Sequence, residues 1–158
     1  MTQTTFVEQV IEVASALTEC VNNLREAYAE MPKVIAAEHE AIEAREFGLV
    51  TDTCRAKEDL GDRIDSAFTK FTLVGERFAK LIASQSPDRP RPVTLTQFRD
   101  ELTELAGSLA SHQFAVQVLN HVAKVFAKAV DDFLGVYLDG KPRIEANRYL
   151  VTKLMRNY

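Results

Sequence analysis

Glycine and proline are scarce in this chain, 6 and 5 among 158 residues. An all-β fold needs more punctuation than that to turn between short strands, so long helices are the better reading. Cysteine is scarcer still, with only Cys20 and Cys54. A small secreted scaffold held by disulfides would use more, and two thiols in a reducing compartment are expected instead. No apolar run is long enough for a membrane span. The richest, residues 114–138, is broken by Lys124, Lys128, Asp131 and Asp132. The opening Met1-Thr2-Gln3-Thr4-Thr5 has neither the basic region nor the apolar core of a leader. A surplus of positive charge is missing too. The net charge of −4 argues against nucleic acid as the main partner. These features predict a cytoplasmic chain with no stable membrane insertion.

What the chain does have is helical periodicity. Apolar residues make up 46% of it, enough for a core, and a chain of this length buries roughly 70% of its unfolded surface. One helical domain over residues 1–158 is therefore expected. Thr5-Phe6-Val7-Glu8 has the pattern of a capping box. Val10, Ala14, Leu17, Val21, Leu24, Tyr28, Met31 and Ile35 then alternate steps of four and three, with Pro32 inside the stripe. This predicts a kinked helix over 5–46. The Phe47-Gly48 pair reads as an elbow, since glycine takes the left-handed conformation cheaply. A second stripe, from Leu60 to Leu81, predicts a helix over 50–84, with Asp59–Arg63 and Glu76–Lys80 as four-apart pairs. The prolines of residues 85–93 predict a loop. Thr94-x-x-Gln97 is a second capping box, with Val93 placed to staple onto Phe98. It opens a helix over 94–137, whose stripe includes His112, weighed as a core residue. Asp139-Gly140 reads as a turn, and Pro142 as the first turn of a short basic helix over 142–158 carrying Ile144, Val151, Met155 and Tyr158 on its apolar side. The fold class is thus all-α, an elongated antiparallel bundle of three long helices plus a short C-terminal helix.

The patterns of common chemistry are missing. A carboxylate di-metal bundle needs Glu-x-x-His on two helices, and none of His39, His112 or His121 follows an acid by three residues. Glu38-His39-Glu40 are consecutive and point around a helix rather than at one ion. Cys54 lies near Arg55 and Lys57, but no base partner is identifiable. There is no glycine-rich phosphate loop and no Gly-x-Ser-x-Gly elbow. No cofactor and no metal is expected, and the chain reads as a non-enzyme. His121-Val122-Ala123-Lys124 is similar to the His-x-x-Lys of histidine phosphotransfer domains, in which an exposed histidine carries a phosphoryl group. Val125 stands where that motif continues with glycine.

The order of features resembles the flagellar type III export chaperones of the FlgN class. The resemblance lies in Glu38-His39-Glu40-Ala41-Ile42, the Phe47-Gly48 elbow, Lys57-Glu58-Asp59-Leu60, Asn120 within Val118-Leu119-Asn120-His121, and Tyr137-Leu138-Asp139-Gly140. Pro32 and the helical basic tail depart from the family pattern. The resemblance implies a cytoplasmic chaperone that binds helical ends of flagellar hook-associated proteins, keeps them monomeric and delivers them to an export gate component. It also implies gate docking through Tyr137. An amphipathic client helix needs an apolar surface read at helical spacing. Leu119, Val122, Phe126, Phe133, Ile144 and Leu154 are the candidates for it. An oligomer is compatible with this reading. The alternatives are a phosphotransfer relay at His121 and a helical adaptor with no export role.

Overall fold

In the computed structural model the backbone is described for residues 2–109 and 113–156, and the side chains for residues 2–109 and 113–148. His112 and the side chains of Val151, Leu154, Met155 and Tyr158 lie outside the described residues. The described chain is all-α, with α1 (Gln3–Glu43), α2 (Phe47–Gln85), α3 (Leu95–Ser108) and α4 (Phe114–Arg156). Three helices are long and one is short, but the short one is third in order. No helix among the described residues is long and apolar enough to cross a membrane.

Packing divides the chain into two compact units, Met1–Asn22 with Ala67–Asp132 and Asn23–Ser66 with Phe133–Tyr158. Each is a bundle of helical segments. In the first unit Glu12 meets Arg77 at 3.8 Å, and Cys20 lies within electrostatic reach of Lys70. In the second, Tyr28 senses Asp65 and Glu38 meets Lys57 at 2.9 Å. As the α1 number rises the α2 number falls in both units, so these helices run antiparallel. α4 runs parallel to α1 in the second unit, where Tyr28 packs on Phe133 and Tyr137, and His39 meets Asn147. The first-unit core holds Val7, Val10, Leu17, Phe78, Leu102, Leu119 and Phe126, all at most 1% exposed. Each such large side chain contributes about 1.5–3 kcal/mol by leaving water.

Several element ends differ from the sequence reading. α1 starts at Gln3, and Thr2 rather than Thr5 caps it: the Thr2 Oγ1 accepts from the Thr5 N–H at 3.2 Å. The α1–α2 reversal occupies residues 44–46, before Phe47-Gly48, and its left-handed residue is Arg45 at φ 55°. Gly48 belongs to the first turn of α2. The Thr94–Gln97 capping box forms with both reciprocal bonds, although Val93 stays 76% exposed rather than stapled.

The helix expected over 94–137 is two helices, because α3 ends at Ser108 and α4 begins at Phe114. The reason is packing: both helices bury an apolar face in the first unit, Phe98, Leu102 and Leu105 from α3 and Val116, Leu119 and Phe126 from α4, with Arg99 reaching Asp131 at 2.6 Å on the surface. Conversely, Asp139-Gly140 is no turn, and the separate helix expected over 142–158 is, as far as Arg156, the last part of α4. Gly140 is buried there for a reason of space. A Cβ on it would lie 3.4 Å from Cγ of Pro32 and 4.0 Å from the Tyr28 carbonyl oxygen. That carbonyl is the one Pro32, lacking an N–H, leaves unbonded within α1. Glycine in α4 lets the two backbones meet where α1 has lost a bond.

Candidate docking groove

None of the six described residues named for partner binding is exposed. Leu119 and Phe126 are 0% exposed and Phe133 is 3% exposed. Val122, Tyr137 and Ile144 are half-buried, and the side chain of Leu154 is outside the described residues. The physical reason lies in the criterion itself: a stripe at four-three spacing marks the face that packs inward first. Tyr137 is likewise a packing residue. Its ring stands 5.4 Å from Tyr28 and 5.9 Å from Phe133, with the Lys141 ammonium 5.8 Å from its centroid. Burial, then the neighbouring Tyr137 and Asp65, push the Tyr28 hydroxyl above its usual pKa.

The polar cluster around Glu38 holds α1 to its neighbours. Glu38 is 2% exposed, and its carboxylate accepts from Lys57 Nζ at 3.0 Å and from Cys54 Sγ at 3.5 Å. Partial desolvation and then the Glu38 carboxylate raise the Cys54 thiol above its ordinary pKa, which keeps it protonated and a poor nucleophile. The adjacent His39 Nε2 pairs with buried Asn147 Oδ1 at 2.8 Å. No cluster of three or more potential metal ligands occurs among the described residues. His121 and Lys124 are exposed on α4, with Val125 also 42% exposed beside them.

A concave surface of the first unit lies elsewhere. α2, α3 and the proline-rich segment between them enclose an open groove of about 480 Å³. Phe68, Thr72 and Glu76 project from successive turns of α2, with Phe71 and Gly75 behind them. The opposite wall is Pro92, Val93 and Thr94, continued by Leu95 and Phe98 of α3. The floor is aromatic. Phe98 stands edge-on to Phe71 at 5.3 Å and tilted to Phe78 at 5.7 Å. It fits because position 75 is glycine: a Cβ there would lie 2.9 Å from Phe98 Cζ.

The far wall is built stiff. Ser86 to Arg89 close a turn, the Arg89 N–H donating to the Ser86 carbonyl at 3.1 Å with Pro87 in the second position. Pro90 and Pro92 fix φ along the extended stretch. Arg89 pairs with Glu101 at 3.1 Å and with Glu104, which ties the segment to α3. The Gln97 side chain receives the N–H groups of Val93 and Thr94 at 2.8 and 3.1 Å. A smaller cavity of about 130 Å³ continues along α2 on the far side of Pro92, between Ala79, Ile82, Ala83 and Pro90. Arg91 borders both cavities, Glu76 the larger and Lys80 the smaller.

Sequence reasoning missed this groove, yet it left a trace. Phe68 falls off the buried stripe, one position after Ala67, and is 41% exposed. Thr72 and Gly75 follow at four and seven, so a second, shallower face of α2 was present. The other large apolar side chains exposed among the described residues, Ile42, Phe47, Leu49 and Leu138 in the second unit and Leu73, Phe114 and Val125 in the first, line neither cavity. Set against protein-family models, curated proteins and solved structures, the chain matches none of them.

Proposed function

We propose that the chain is a cytoplasmic export chaperone, not an enzyme, that binds helical ends of flagellar hook–filament junction proteins, keeps them monomeric and delivers them to the export gate. The observation that carries this reading is the groove between α2, the proline-rich segment and α3. It is apolar, concave and about 480 Å³ in volume. The apolar face of an amphipathic helix fills such a groove with side chains three and four residues apart. Its stiff wall favours binding, because little freedom remains to be lost when a partner arrives. The sequence resemblance supplies the class of client, and the groove supplies a place for it. Client contact thereby moves from the buried residues of α4 to Phe68, Val93, Leu95 and their neighbours.

Titration calorimetry of the full chain with the terminal helical segment of a junction protein tests the reading. Saturable binding with a negative heat-capacity change is expected, as apolar burial requires. The phosphotransfer alternative draws on the exposure of His121. Incubation with a phosphodonor and a response regulator should leave the chain unlabelled. No client binding together with His121-dependent labelling would overturn the proposal in favour of the relay.

A further inference from the structure

We infer that Arg91 and Lys80 make the groove selective for an apolar helix flanked by carboxylates. The inference rests on the reading that the chain binds such a helix. The neighbouring arginines of this surface are engaged: Arg89 with Glu101 and Glu104, and Arg99 with Asp100 and Asp131. Arg91 and Lys80 are both exposed and form no ion pair among the described residues. Among the described residues Lys80 does not pair with Glu76, the acid four residues before it. Two cations without an ion pair among the described residues thus border the smaller cavity, and Arg91 reaches the larger one as well. In a chain of net charge −4 this placement is the reverse of the average surface.

Cations at the lip of an apolar groove select partners more by penalising the wrong charge than by adding affinity. A client with acids beside its apolar face meets Arg91 and Lys80 while its anchors enter between Phe68 and Val93. A client with lysines there is repelled. The attraction falls with salt, since these side chains are solvated.

The test is a charge-reversal cycle by titration calorimetry with the full chain, wild type and Arg91→Glu/Lys80→Glu. The probes are the terminal helical segment of a junction protein and the same segment with its acids changed to lysine. The double variant should melt like the wild type, because both side chains are exposed. It should bind the natural segment roughly tenfold more weakly, and the lysine segment should recover most of that loss. Equal affinities in all four combinations would overturn the inference and leave the chaperone reading standing. Failure of the wild type to bind the natural segment would remove both. Self-association of the wild type that the double variant abolishes would assign the surface to a second copy and overturn the inference.

Discussion

Single positions carry much of the geometry, and two glycines of α2 show how. Gly61 has nothing within 4 Å of where a Cβ would stand, whereas Gly75 has the Phe98 ring at 2.9 Å. Alanine at a helix interior position is worth about 0.8–1.0 kcal/mol over glycine. Gly61→Ala should therefore stabilise the chain by nearly that amount. Gly75→Ala gains the same propensity but must push Phe98 off Phe71 and Phe78, an overpacking cost of about 1–3 kcal/mol. The expected outcome is opposite signs in denaturant unfolding, with Gly75→Ala also disturbing the groove floor. Two variants that both stabilise would show that the floor is loosely packed. Neither role was legible locally: Gly75 answers to a ring 23 positions away (98 − 75), and Gly140 to a proline on another helix. An Asp-Gly pair is a turn signal only where nothing distant requires the missing side chain.

At the scale of elements, α1 and α2 are joined by more than apolar packing. Glu38 is buried with Lys57 as its partner, and a buried carboxylate without its cation is costly. Lys57→Met should destabilise by about 2–4 kcal/mol, less than for a fully enclosed pair because Lys57 stays 26% exposed. The double variant Glu38→Leu/Lys57→Met should recover most of that loss, since apolar groups of similar size replace the pair without leaving a charge behind. Chemical denaturation of the four chains measures the coupling. Additive losses would mean that water already satisfies Glu38. Element existence was largely readable from the stripes, and the Thr94–Gln97 capping box was readable to the residue. The α3–α4 break was not. Leu105, Leu109, His112 and Val116 keep helical phase across it, and Gly107-Ser108 is a weak stop signal beside that continuity. The reversal is imposed by packing within the first unit, which a local pattern does not encode.

For the whole molecule, the all-α class followed from few glycines, few prolines and three long stripes. The division into two packing units did not, because α1, α2 and α4 each contribute a segment to both, and no linker marks the boundary. The groove was not legible either, because periodicity finds the face that is buried and the groove is built from what that face leaves over. Amide hydrogen exchange of the full chain, with and without the terminal helical segment of a junction protein, puts the claim to its most direct test. Helix-in-groove docking at α2 and α3 should slow exchange at residues 68–76 and 91–98 and leave residues 133–148 unchanged. Slowed exchange confined to α4 beyond Phe133, with residues 68–98 unaffected, would contradict it.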